Sequence, residues 1–453
     1  MNPDLFQTHS LKSIEKSAQV REILSAAIEA VDPGRAVQRN VKRSGDRITI
    51  EGRTYHLRDY RRVRVVGAGK AGEPMARAIE VILGDHLHDG IVIVKGGYAG
   101  EADLRIKILE AGHPVPDGRG VKGTKQIVDL LNTTREDDLV LCLISGGGSA
   151  LLTLPEEGVQ LDDLQDLTSA LLTSGADINK INTLRKHLDQ VKGGKLARLA
   201  APAQIVSLIL SDVVGDPLDV IASGPTVPDT STFENAIQVL SRYTLQDEAS
   251  GEITNYLEMG LRGEIPENPK PDDPVFKNVQ NIIIGSNLLA AQAAVEKARE
   301  LGFNGLLLTT YLQGEARLAG RMLAAIGRQM VATGQPLQRP ACIVTGGETT
   351  VTVRGDGLGG RNQEMALGAV ADLAGLEKVC LVCLASDGGD GPTGAAGAVV
   401  TGETLSRALD RDLSPKDYLA RNDSYHFFEA LDDLLMTGPT RTNVNDLAFL
   451  FAF

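Results

Sequence analysis

The chain of 453 residues is too long for one ordinary folding core and suits two domains; 42% hydrophobic and 23% charged residues give it the balance of a globular protein. Its formal net charge of −13 repels phosphate backbones and anionic lipid, which argues against a nucleic-acid or membrane-surface role. The N-terminus lacks a basic-then-apolar signal pattern and no apolar run approaches the ~20 residues of a membrane-spanning helix, so the cytoplasm is the expected compartment.

In chain order, Val20, Ile23, Leu24, Ala27, Ile28 and Val31 fall at helical spacing, and Asp32-Pro33-Gly34 ends that helix. Residues 41–57 read as a hairpin turning at Ser44-Gly45-Asp46. From Val63 the pattern becomes alternating strand and helix. Apolar strand runs fall at 62–66, 91–94, 105–109, 139–144 and 204–210, the signature of a parallel sheet with crossover helices. Pro266, Pro269, Pro271 and Pro274 mark a stiff, solvated connector, and a second alternation follows with strands at 279–284, 305–309, 341–345 and 379–385. The expected organisation is an N-terminal α/β domain over 1–265, a connector over 266–275 and a C-terminal α/β domain over 276–453. The cysteines Cys142, Cys342, Cys380 and Cys383 read as buried thiols of a reduced protein. Cys380 and Cys383, three apart in one strand, face opposite sides and cannot share an ion.

Ligands of open parallel sheets bind beyond the carboxyl ends of the strands. Here those ends are unusually rich in glycine: GAGKAG (67–72), SGGGSALL (145–152), SDVVGDPLDVIASGPTVPD (211–229), GSN (285–287), TGGE (345–348) and SDGGDGPTGAAGA (386–398). Glycine lets backbone amides approach an anion, and a following helix start favours negative charge. One such loop is an ordinary packing turn; six point to an anionic ligand. Gly67, Gly69 and Gly72 match a dinucleotide fingerprint, which alone is weak. The acid expected after the second strand is replaced by Lys95, and Lys70 sits inside the turn, so NAD loses ground and NADP is the weaker alternative. No G-x-x-x-x-G-K-[ST] loop exists, so a phosphate-loop NTPase is excluded.

Asp212 and Asp387 emerge from apolar strands beside these loops and suit a general base or Mg²⁺ ligation. Asp216, before Pro217, reads as a turn-former. Arg361 follows Gly359-Gly360 and opens a helix; its planar fork suits a carboxylate or phosphate, with a surface salt bridge as the ordinary alternative. His113 reads as a satisfied loop histidine, and His187 as part of a solvated, cation-rich helix face. No zinc spacing and no G-x-S-x-G is present, which removes metalloprotease and α/β-hydrolase chemistry.

These loops, together with GHPVPD (112–117), GLGGRNQE (357–364) and TGPTRTNVNDL (437–447), resemble the class II glycerate 2-kinase family, which joins a kinase-associated domain to a C-terminal MOFRL domain. The matching stretches run in order along nearly the whole chain. The resemblance implies two Rossmann-like domains with mainly parallel sheets and an interdomain cleft. It also implies phosphoryl transfer from ATP, with Mg²⁺, to glycerate, giving 2-phosphoglycerate. The family's active-site Lys, Asp and Arg fall on Lys70, Asp212 and Arg361. Substrate and nucleotide contacts are expected at Gly67, Gly69, Ser145, Gly146, Gly147, Gly148, Ser149, Gly285, Ser286, Asn287, Gly346, Gly347, Glu348 and Asn362. Asp212 and Asp387 are the metal candidates; the sequence leaves the oligomeric state open, a homodimer included. The alternatives are an NAD(P)H-dependent hydroxypyruvate reductase, which needs a nicotinamide site, and a non-catalytic sugar-phosphate sensor, which has no use for Lys70, Asp212 and Arg361 together.

Overall fold

The computed structural model describes residues 1–100, 103–246 and 248–453. The chain divides into two compact units, one of Pro33–Ile284 and one combining Met1–Asp32 with Gly285–Phe453. Among the described residues, no helix is long and apolar enough to cross a membrane.

The first unit opens with three short antiparallel strands, β1 (Val41–Ser44), β2 (Arg47–Ile50) and β3 (Arg53–His56). Ser44 pairs with Arg47, leaving Gly45-Asp46 as the turn. Its main sheet holds β4 (Arg62–Ala68), β5 (Leu87–Lys95), β6 (Lys107–Ala111), β7 (Asp138–Ile144), β8 (Gln204–Leu210) and β9 (Val279–Gly285), in the order β6-β5-β4-β7-β8-β9. The pairs from β6 through β8 are parallel. β7 is buried along its whole length, which is why it reads as an unbroken apolar run. The chain walks outward from β4 through β5 to β6, then returns to place β7 on the other side of β4. That reversal puts a crevice beyond the carboxyl ends of β4 and β7.

The opposite end of this pair carries an ionic clamp. Arg62 and Asp138 are partners on the first rung. The buried Asp138 carboxylate accepts from Arg62 Nη2 (2.6 Å), Arg61 Nη2 (3.1 Å) and the Arg135 amide (2.9 Å). Burial alone would raise its pKa; the two guanidinium groups and the amide outweigh that and hold it at about 2.

Two expectations are corrected in this unit. The stretch 266–275 is not a solvated connector: Asn268 is buried and donates to Asp229 Oδ2 (2.8 Å), Pro269 O accepts from the Asp229 amide (2.9 Å), and Glu267 accepts from the Phe233 amide (2.8 Å). Its polar residues satisfy the backbone of this unit, and the passage between units falls at 284/285 instead. The cationic helix around His187 is not a solvated face either, since Lys186, His187 and Lys192 are all buried against acids, with Lys192 on Asp189 at 2.6 Å.

In the second unit the sheet order is β10-β11-β15-β12-β13-β14, with β10 (Asn304–Leu312), β11 (Ala341–Gly347), β12 (Val379–Ala385), β13 (Gly397–Thr401), β14 (Leu434–Leu435) and β15 (Asp446–Ala452). Here parallel pairing is confined to β10 and β11, and the sheet is mixed. β15 lies antiparallel between β11 and β12, so its first residue, Asp446, pairs with Gly347 on one side and Ala385 on the other. The N-terminal helix Ser17–Ala30 buries the expected apolar stripe in this unit, against the helix Asn287–Glu300. Ser10 anchors the segment through its amide and hydroxyl on Asp433 (2.7 and 2.8 Å), which Arg407 also holds.

Removing a charge from the Asp138 clamp leaves two arginines without their buried partner, so Asp138→Asn should cost about 3 kcal/mol at pH 7. Because the folded pKa lies below the ordinary value of 3.8, the clamp's contribution is complete above about pH 4 and is lost as pH falls through about 2. Urea unfolding of both proteins between pH 7 and pH 2 should therefore show a stability gap that closes at the acid end.

Candidate active site

At the reversal between β4 and β7 two glycine loops are stitched together. The Ser145 amide donates to Ala68 O (3.1 Å), the Lys70 amide to Gly146 O (2.8 Å), and the Ala71 amide to Ser145 Oγ (3.0 Å). Their closeness requires glycine. A Cβ at Gly67 would overlap Leu143 O, and one at Gly69, whose φ is +143°, would overlap Ser145 Oγ. At Gly146 a Cβ would overlap the Asp212 carboxylate, so the hydrogen there is what admits Asp212 to the loop. Gly147 (φ +83°) starts the short helix Gly148–Leu151 and lies against the His113 ring and the Lys70 side chain. Ser149 shares a hydrogen bond with Ser223 Oγ (3.0 Å).

The structure thus brings Lys70, Asp212 and the 145–148 backbone into one cluster. It adds His113, which sequence reasoning set aside as a satisfied loop residue. Burial, with Lys70 and Lys95 nearby, pushes the His113 pKa down to about 4, so the ring is neutral at pH 7. The GHPVPD turn was visible in the sequence, but its approach to Gly147 depends on the β6–β5–β4–β7 order.

A second cluster lies at the carboxyl ends of β11 and β12. Arg361 opens the helix Arg361–Leu373 and reaches Glu348 Oε1 (2.7 Å) and Asp446 Oδ2 (2.5 Å). Asn362, itself buried, donates to Asp446 Oδ1 (2.8 Å) and Asp390 Oδ1 (3.2 Å). Asp390 also accepts from the Asn362 and Gln363 amides (3.1 and 2.8 Å), satisfying donors that the helix leaves open at its start. Burial raises the pKa of Asp390. Burial likewise pushes Asp446 up to about 7, against the pull of Arg361 and Asn362. Ser286 caps the helix Asn287–Glu300, and Asn287 Nδ2 donates to Val444 O and Asp446 O (2.8 and 2.9 Å). A Cβ at Gly346 would overlap the Asn287 amide oxygen, and one at Gly347 would overlap Leu312 O. Gly285, by contrast, simply closes β9.

Asp387 is used locally, its Oδ1 taking the Gly389 amide (3.1 Å) and its carbonyl the Thr440 amide (3.1 Å). Sequence reasoning placed Asp390 at the ligand edge without favouring it for function, and missed Asp446. Asp446 lies within TGPTRTNVNDL, but its position between two strand ends follows from an antiparallel strand that the αβ alternation did not announce. Among the described residues, no three His, Cys, Asp or Glu side chains gather to hold a metal. Asp212 or Asp387 would bind Mg²⁺ only as single carboxylates completed by phosphate or water oxygens, which is the usual mode for that ion.

A parallel sheet with amide-rich loops at its reversal point, beside a lysine, a carboxylate and a neutral imidazole, defines an α/β enzyme suited to a small anionic ligand. Residues 19–258 match the family described as a domain of unknown function (DUF4147), and residues 341–446 match the MOFRL family. A relative named glycerate 2-kinase from Pyrococcus horikoshii is 45% identical over 94% of this chain and 96% of its own length. Another, named D-glycerate 2-kinase, from Thermotoga maritima, is 43% identical over 98% of this chain and 99% of its own. The crystal structure of a glycerate kinase from Thermotoga maritima matches with a TM-score of 0.86 at 43% identity, covering 96% of this chain and 99% of that one. The chain belongs to the glycerate 2-kinase family.

A methyl group at position 146 should displace the Asp212 carboxylate while leaving the sheet intact. Gly146→Ala is therefore expected to lower turnover roughly 10²-fold, the cost of misplacing a reacting group by about an ångström, with a circular-dichroism spectrum unchanged from wild type.

Proposed function

We propose that this chain transfers the γ-phosphoryl group of ATP to the 2-hydroxyl of D-glycerate, releasing ADP and 2-phosphoglycerate. The observation that carries this reading is the placement of Lys70 and Asp212 against the 145–148 backbone at the strand reversal. Phosphoryl transfer asks mainly for positioning and charge neutralisation. The amides of 145–148 and the Lys70 ammonium supply positive potential for the moving group. Asp212 takes the proton from the 2-hydroxyl as that oxygen bonds to phosphorus and the bond to the ADP oxygen breaks. His113, kept neutral, offers a hydrogen bond without adding charge. In the second unit the Arg361 fork is held in position by the buried Asp446, while the half-exposed Glu348 is the partner it would exchange for a ligand anion. Mg²⁺, bound through Asp212 or Asp387 and phosphate oxygens, would supply further neutralisation of phosphate charge.

The name putative hydroxypyruvate reductase, carried by some relatives, is the second reading. Against it stands the end of β5, where Lys95 lies over the Tyr98 ring (5.5 Å) in the place of the acid a nicotinamide ribose needs. A sensor would have no use for a carboxylate admitted so closely to an anion-binding loop.

Purified protein should release ADP only when glycerate is present, and without any nicotinamide nucleotide. Asp212→Asn should lower kcat roughly 10²–10⁴-fold, the usual range for loss of a general base, with nucleotide binding retained. Hydroxypyruvate-dependent oxidation of NADH or NADPH, with no glycerate-dependent ADP release, would replace the kinase by the reductase.

A further inference from the structure

Beside the Lys70 cluster lies a cavity within the first unit, walled by the helices Leu161–Thr173 and Ile178–His187. Its walls are mainly apolar, with Leu164, Leu167 and Leu184 among them, yet Arg185, Asp189 and Lys192 also line it. The charges there do not cancel. Asp189 is committed: it holds Lys192 (2.6 Å) and accepts from the Leu154 and Val191 amides (3.1 and 3.0 Å). Lys192 is committed too, donating to Leu152 O (2.7 Å) and Thr153 Oγ1 (3.1 Å) as well. Arg185 makes no hydrogen bond or ion pair with a described residue. Two cations share one anion, and the guanidinium is the surplus. A cation near a helix C-terminus favours the helix dipole, but an exposed side chain would do that equally well. Burial lowers the pKa of Arg185, opposed by Asp189, so its place in the cavity is held at a cost that a bound anion would offset.

Two loops connect this cavity to the site already described. Pro116 and Ser149 line it, while His113 and Gly147 of the same two loops pack together beside Lys70. Gln165 on the wall helix holds the first loop through Pro116 O (2.6 Å). A ligand held on Arg185 therefore lies against the same loop, 145–149, whose Gly146 and Gly147 contact Asp212 and Lys70. The geometry points to Arg185 as the residue that receives the carboxylate of the short 2-hydroxy acid substrate, with the leucine walls limiting the length of its chain. This rests on the reading of glycerate as substrate. A planar carboxylate carries the one negative charge that a single guanidinium fork matches in two hydrogen bonds, whereas phosphate groups find their donors in the glycine loops.

The test measures calorimetric binding of D-glycerate and, separately, of ADP to the full-length wild type, Arg185→Lys and Arg185→Gln, alongside wild-type glycerate-dependent ADP release. Arg185→Gln should weaken glycerate roughly 10–100-fold, as loss of a charge-assisted pair does, with ADP binding within twofold; Arg185→Lys should fall between. A second measurement uses only the wild type: phenylglyoxal modification of Arg185, read by peptide mass spectrometry, should be slowed by glycerate and not by glycerol. Unchanged glycerate affinity in Arg185→Gln, or protection by ADP and not by glycerate, would overturn the assignment while leaving the kinase reading intact. A wild type that neither binds nor phosphorylates glycerate would overturn both.

Discussion

The register of β4 against β7 is the constraint on which the first site depends. Arg62 and Asp138 fix the first rung, and the pairing runs without a slip to Ala68 and Ile144. Only then do the two loops meet with their amides and carbonyls matched. A slip of one residue would turn every side chain of a strand to the other face and part Lys70 from Gly146. The charged clamp sits at one end of the strands and the candidate site at the other, so the ion pair needs no access to ligand and the loops need no charge for their own folding. Glycine does the remaining work. Each of Gly67, Gly69 and Gly146 stands where a side chain would overlap the neighbouring strand or Asp212.

The second unit reaches a comparable arrangement by a different route. β11 and β12 run parallel to one another without touching, because β15 lies between them in the opposite sense. Its start therefore stands among their ends, and Asp446 enters at the level of Gly347 and Ala385. Burying that carboxylate beside Asp390 is unfavourable, and Arg361 and Asn362 offset only part of that, since the pKa stays raised to about 7. The result is an arginine whose direction is set from one side by a buried acid and from the other by the half-exposed Glu348.

Much of this was legible in the sequence, and the reasons are physical. Strands buried on both faces read as continuous apolar runs, so β4, β7, β8, β11 and β12 were placed within a few residues of their observed limits. Lys70 and Asp212 were singled out because residues after such strands fall at the ligand-binding edge, and Arg361 because it opens a helix after Gly359-Gly360. What escaped depended on contacts distant in the chain. β15 was not read as a strand, and its antiparallel direction is invisible to periodicity; with it went Asp446. Proline spacing suggested a linker at 266–275, whereas Asn268 and Glu267 bind it to the first unit. The burial of Lys192 and the surplus charge of Arg185 could not be read from a helix whose composition resembles a solvated face.

The central claim is that this site delivers a phosphoryl group to the secondary hydroxyl beside the carboxylate. Phosphorus NMR of the product formed from D-glycerate and ATP reads this directly, because a phosphorus on the 2-oxygen couples to one carbon-bound proton and one on the 3-oxygen couples to two. The account predicts a doublet. A triplet, or the absence of any new phosphate ester, would contradict it.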